Sequence, residues 1–136
     1  MNRCLLDTDV LSQYLRGEAR VTQRAVEYLQ HHPQIELSVI SYYELRRGLV
    51  RIGAQRRIEQ LEAFIRSCRL WRVDQEVARV ASEIAGQLAA RGERLDDADV
   101  LIGATARVIG TAVATGNIRH FSRIEGLVVE NWLENV

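Results

Sequence analysis

The sequence predicts an α/β/α sandwich, with a mainly parallel central sheet flanked by helices. Short apolar runs of strand length recur along the chain, and longer segments with apolar residues at helical spacing separate them. Strands that alternate with helices favour a parallel sheet covered on both faces. With 47% hydrophobic residues and one proline in 136, the chain is too apolar for disorder. Residues 1–136 read as a single domain, large enough to bury about two-thirds of its unfolded surface without a staple.

Cys4, Leu5 and Leu6 form the first predicted strand, and Val10, Leu11, Tyr14 and Leu15 one face of the helix after it. Val21, Ala25, Val26 and Leu29 give a second amphipathic helix, ended by Pro33. "IELSVIS" reads as a second strand continuing through Val39. Two helices broken near Gly53 follow. Leu45, Leu49 and Ile52 mark the apolar face of one, and Ile58, Leu61, Phe64 and Ile65 that of the other. "RLWRV" is a short extended segment. A long helix then turns Val77, Val80, Ala81, Ile84 and Leu88 inward and closes near Gly92. "DDADVLIGATARVIG" is apolar nearly all round, as a buried helix is. "TAVAT" supplies a strand ending at Thr115, and "GLVVENWL" a late edge strand.

The 18 basic residues balance 18 acidic ones, and every basic residue is arginine. The absence of lysine excludes Schiff-base chemistry and phosphate loops that need a lysine. Net neutrality means that a polyanion must be gripped by a local arginine patch, not by a global field. Cys4 and Cys68 lack metal-like spacing and read as small buried hydrophobes. No signal segment and no membrane-length apolar run is visible, so a cytoplasmic location is expected.

Four polar residues line up with element junctions: Asp7 follows the first strand, Glu44 sits in the first turn of the helix after the second, Asp99 opens the buried helix after "ERLDDA", and Asn117 follows the strand "TAVAT". Strand C-termini and helix N-termini share one edge of a parallel sheet, so the four can converge there. Each alone also reads as local structure. Ser41-x-x-Glu44 matches a capping box. Asp96 suits a helix cap, with Asp97 and Asp99 favoured by the helix dipole. Asn117 suits a left-handed turn. Three carboxylates on one edge are another matter, because unit charges about 4 Å apart repel by roughly 4 kcal/mol at an effective dielectric near 20. Such a cluster must protonate, separate or hold a cation. An oxygen-only donor set fits Mg²⁺ or Mn²⁺. On that reading Asp7 is a ligand and Asp9 the helix cap.

The stretches "LLDTDVLS", "ISYYELRRG", "DADVLIGATA" and "VATGNIRHFSRIEGLVVENW" resemble, in order and over nearly the whole chain, the PIN-domain ribonucleases. Within that family they resemble the VapC toxins of prokaryotic toxin–antitoxin pairs. The resemblance implies a PIN-like sandwich and an endoribonuclease dependent on Mg²⁺ or Mn²⁺. It also implies a homodimer and inhibition by a cognate VapB-type antitoxin. Asp7, Glu44 and Asp99 match the family's three central acids, and Asn117 its fourth position. Two departures stand out: Asp9 where the family commonly has asparagine, and the extra pair Asp96 and Asp97 before Asp99.

Around these acids, Thr8 and Thr115 are candidate outer hydrogen-bond partners of the carboxylates. Arg46, Arg47, Arg51, Arg56 and Arg57 form a run without an intervening acid. It is either a solvated helix face or a phosphate-gripping rim. Arg46 and Arg47 are the RNA-binding candidates from it, joined by Arg119 and His120 beside Asn117. His31 and His32 read as a helix terminus, Tyr42 and Tyr43 as core or interface, and Trp71 and Trp132 as packing anchors. Two rival functions remain. A catalytically silent PIN-like binding module would keep the fold without the chemistry. A DxD-type phosphatase would share the "DTD" but also needs a downstream Gly-Asp-x-x-x-Asp, which is missing.

Overall fold

Residues 2–134 are described in a computed structural model of the chain. Five parallel strands form the sheet, in the order β3-β2-β1-β4-β5. They are β1 (Cys4–Leu6), β2 (Glu36–Ser38), β3 (Arg69–Trp71), β4 (Ala112–Thr115) and β5 (Val129–Asn131). The helices are α1 (Thr8–Leu15), α2 (Ala19–His31), α3 (Val39–Arg51), α4 (Gln55–Ile65), α5 (Gln75–Ala90), α6 (Asp97–Ile109) and α7 (Ile118–Phe121). "RLWRV" thus holds one edge strand and "GLVVENWL" the other.

The two-residue period of a strand sorts the core into two layers. Cys4, Leu6, Leu37, Ala112 and Ala114 face α1 to α4, meeting Val10, Leu11, Val21, Ala25, Leu49 and Leu61. Leu5 and Val113 face the other way, against Val77, Ile84, Leu88 and Ile102 of α5 and α6. Each fully buried Leu or Ile contributes roughly 1.5–3 kcal/mol. The sheet is therefore apolar on both sides, as central parallel strands must be.

At the strands' N-terminal edge, Glu36 closes the layer. Its carboxylate accepts from Arg3 at 2.5 and 2.6 Å and from the Trp71 indole at 2.9 Å. One buried acid thus ties β1, β2 and β3 together.

Three local expectations are corrected. β2 ends at Ser38, and Val39 opens α3 with the Ser38 hydroxyl accepting from the Ile40 N–H at 3.0 Å. Ser41 therefore lies inside the helix and is buried, and Glu44 sits in the second turn, so no capping box forms. On α2 the buried face is Val21, Ala25 and Tyr28, whereas Val26 and Leu29 are exposed. Tyr28 is drawn inward because its hydroxyl accepts from the Cys4 N–H at 3.0 Å. Ile52, just past α3, is exposed as well.

Strand order changes direction between β1 and β4: the chain fills one side of β1 with β2 and β3, the other with β4 and β5. In open α/β sheets, ligand sites form outside the carboxyl ends of the strands at such a switch point. Asp7 follows β1 directly and Asn117 lies two residues beyond β4. Both are at that position.

Candidate active site

A cavity of about 530 Å³ opens at the switch point. Asp7, Asp9, Glu44, Asp99 and Asn117 line it, together with Thr8, Ser12 and Phe121. Four elements deliver the polar groups. Asp7 sits between β1 and α1, Glu44 on α3, Asp99 in the first turn of α6, and Asn117 ahead of α7. α6 leads into β4 and runs antiparallel to it, which returns its N-terminus to the strands' carboxyl edge. The residues predicted from the sequence to converge therefore share one cavity wall.

Asp7 is 5% exposed. Its backbone N–H donates to the Ala114 carbonyl at 3.0 Å, and its Oδ1 accepts from the Val10 N–H at 2.8 Å. Asp7 is thus the α1 cap, and Asp9, expected in that role, instead lies in the helix's first turn and faces the cavity. Burial pushes the Asp7 carboxyl up to about 7; the Thr115 hydroxyl and the Val10 N–H oppose this, while Asp9 and Asp99 reinforce it. Asp99 is also raised, by burial and then by the charge of Glu44, with His120 acting against them. Carboxylates from separate elements therefore feel one another's charge.

Neighbouring groups hold these acids in place. The Thr8 hydroxyl donates to Glu44 Oε1 at 2.6 Å. Thr115 accepts from the Asn117 N–H at 2.8 Å, which fixes the turn after β4. The Asn117 side-chain amide lies 2.8 Å from His120 Nδ1, and that nitrogen is 3.7 Å from Asp99 Oδ2. Asn117 itself has φ −109°, so the left-handed turn is not adopted. Asp96 takes the α6 cap position without a side-chain cap bond. With Asp97 it lines a separate depression beside Arg94 and His120.

The PIN-domain family profile matches residues 4–127. The chain belongs to the PIN-domain family. Ribonuclease VapC19 of Mycobacterium tuberculosis is 30% identical over 117 residues, 86% of this chain and 90% of that protein. Ribonuclease VapC10 of the same organism is 32% identical over 125 residues, 90% of this chain and 89% of its own. The crystal structure of DNA-bound VapBC from Salmonella typhimurium aligns with a TM-score of 0.86 at 25% identity. That alignment covers 97% of this chain and 99% of the other.

Three arginines expected at RNA stand apart from this PIN-domain cavity. Arg46 is held by Glu62 at 3.0 Å. Arg47 is exposed and stacks over Tyr43 at 5.2 Å. Arg119 lines another depression, with Arg91 and Arg123. The cavity's own arginines are Arg16 and Arg57. Arg16 was invisible as a candidate because its proximity to the acids depends on α1 lying along the cleft. An arginine one helix length beyond the Asp7–Asp9 pair was the available signal.

The donor set suits a hard divalent cation. Every polar group on the acidic wall offers oxygen, and Asp7 is held near neutrality by burial and by like charges that a cation relieves. Among the described residues, no three Asp, Glu, His or Cys side chains form a ready-made metal cage. No helix among them is long and apolar enough to cross a membrane.

Proposed function

We propose that this chain is a Mg²⁺- or Mn²⁺-dependent endoribonuclease, the toxin of a VapBC-type pair. The reading is carried by one observation: Asp7, Glu44, Asp99 and Asn117, from four elements, line one cavity at the sheet's switch point. The kinship with VapC ribonucleases supports it.

In this reading Asp7, Glu44 and Asp99 hold the ion. When bound, a divalent cation supplies positive charge to a scissile phosphate and lowers the pKa of water. A cation held there would favour the ionised form of Asp7, offsetting the cost of its burial. Asp9, across from Asp7, adds negative charge to the same wall. Thr8 and Thr115 orient Glu44 and Asp7, and His120 orients the Asn117 amide. Arg47 and Arg119 contact RNA outside the cavity, whereas Arg46 is engaged by Glu62.

A VapB-type antitoxin and a second copy of the chain are the protein partners in this reading. The exposed apolar side chains Tyr43, Val50 and Ile52 offer them a surface. The protein is cytoplasmic and acts as one domain.

Induced expression tests the function. Wild type is expected to arrest growth and to generate new cellular RNA 5′ ends, and Asp7→Asn to do neither. Equal RNA cleavage by the two would remove Asp7 from the chemistry.

A further inference from the structure

The cavity has a second pole. Arg16, which closes α1, and Arg57, in the first turn of α4, line the same space as Asp7, Glu44 and Asp99. Neither guanidinium makes a hydrogen bond or ion pair with another described residue. Several other arginines are paired, Arg3 with Glu36, Arg20 with Glu18, Arg46 with Glu62 and Arg79 with Glu83; what sets Arg16 and Arg57 apart is that they line the cavity of the acids. Arg57 also stands where a cation opposes the helix dipole, and α4 has no acid in that turn to compensate.

α1 itself separates the two poles. Asp7 caps its N-terminus and Arg16 its C-terminus. At about 1.5 Å per residue the two backbones lie roughly 13 Å apart along the helix. Leu45, Leu49 and Ile52 line the same cavity, with Ser12 of α1.

We propose that Arg16 and Arg57 together bind a backbone phosphate of the RNA strand, further along the strand than the phosphate at the acids. This rests on the nuclease reading above and adds a subsite to it. A guanidinium meets a phosphate with two parallel hydrogen bonds, and such contacts set the register of a strand without reading its bases. A neutral chain has no global field to draw a polyanion into an acidic cavity. Two unpaired arginines at the far end provide that attraction locally. The acidic pole then meets one phosphate through its cation while the arginines hold another, so the strand lies along α1.

The test uses the full chain in Mg²⁺ and a fluorescein-labelled single-stranded RNA of mixed sequence. Binding is read by anisotropy and cleavage by gel, across a salt series, with thermal melting as the check on folding. The Arg16→Gln/Arg57→Gln variant is expected to bind about tenfold more weakly. It should also lose about 0.7 from the slope of log affinity against log salt, the contribution of one single-strand phosphate contact. At subsaturating RNA its cleavage should fall in step with the lost affinity. Arg16→Lys/Arg57→Lys should restore the salt slope. A folded Gln variant with wild-type affinity and slope, beside a wild type that cleaves, overturns the arginine assignment alone. A Gln variant with unchanged RNA parameters but weakened binding of an acidic antitoxin segment also overturns it, and makes this pole a protein-docking site. A wild type that neither binds nor cleaves RNA overturns the nuclease reading, and the subsite falls with it.

Discussion

The Thr8 hydroxyl donates to Glu44 Oε1 at 2.6 Å, joining the first residue of α1 to the second turn of α3 across the cavity mouth. Glu44 has a long side chain on a half-exposed helix face, and this bond holds its carboxylate toward the other acids. Thr8→Val keeps the shape and removes the donor. Loss of such an outer hydrogen bond typically lowers metal affinity or activity about 10–100-fold. The variant should therefore need more Mg²⁺ to reach half-maximal RNA cleavage, with Thr8→Ser close to wild type. A metal titration unchanged in Thr8→Val would show that Glu44 is placed by its helix alone.

Asp7 makes stability depend on pH in a defined direction. Its carboxyl titrates near 7 in the fold against an ordinary value of 3.8. Below about pH 4 the group is protonated in both folded and unfolded chains and costs nothing. Between pH 4 and 7 the unfolded chain ionises first, so stability falls as pH rises, and above 7 the full cost is present. At about 1.36 kcal/mol per pH unit, that cost has a ceiling of roughly 4 kcal/mol. Asn at position 7 retains an oxygen for the Val10 N–H and carries no charge. In EDTA at pH 8, Asp7→Asn should melt above wild type, and the gap should close toward pH 4. Equal melting temperatures at pH 8 would mean that the buried carboxylate is solvated after all.

Divalent ions should reverse that penalty. A ligand bound only by the folded chain at 100 times its dissociation constant stabilises by about 2.7 kcal/mol. Mn²⁺ or Mg²⁺ at pH 8 should therefore raise the wild-type melting temperature and raise that of Asp7→Asn or Asp99→Asn far less. EDTA should take RNA cleavage to background, and either ion should restore it. Cleavage that survives exhaustive chelation would separate the acids from any metal role.

The order of strands and helices was legible because burial on both faces of a parallel sheet enforces apolar strands, and one-sided helices enforce a 3.6-residue period. The four candidate residues were legible because Asp7 and Asn117 follow strands, and Glu44 and Asp99 lie in the opening turns of helices. Which aspartate caps α1 was not, since both Asp7 and Asp9 suit a helix start and the Val10 N–H bond to the Asp7 carboxylate decides it. The inward turn of Tyr28 was hidden too. It depends on a backbone partner at Cys4, distant in sequence. The pairing of Arg46 with Glu62 and the freedom of Arg57 likewise arise from how α3 meets α4, which periodicity does not encode.

The start of α3 shows how closely local pattern and tertiary structure can compete, and it yields a prediction of opposite signs. Val39 and Ile40 are β-branched, so a strand reading runs on through them and leaves Ser41 and Glu44 at capping-box spacing. The fold instead ends the strand at Ser38, whose hydroxyl accepts from the Ile40 N–H. Ser38→Ala should lose this cap and destabilise by about 1 kcal/mol. Ser41 is fully buried within the helix, and its hydroxyl has no hydrogen-bond partner. An unsatisfied buried hydroxyl costs about 1–3 kcal/mol, and alanine is the stronger helix former. Ser41→Ala should therefore leave stability unchanged or raise it by roughly 1 kcal/mol in urea unfolding. A capping box predicts the reverse, loss at Ser41 and indifference at Ser38, so one pair of unfolding curves separates the two.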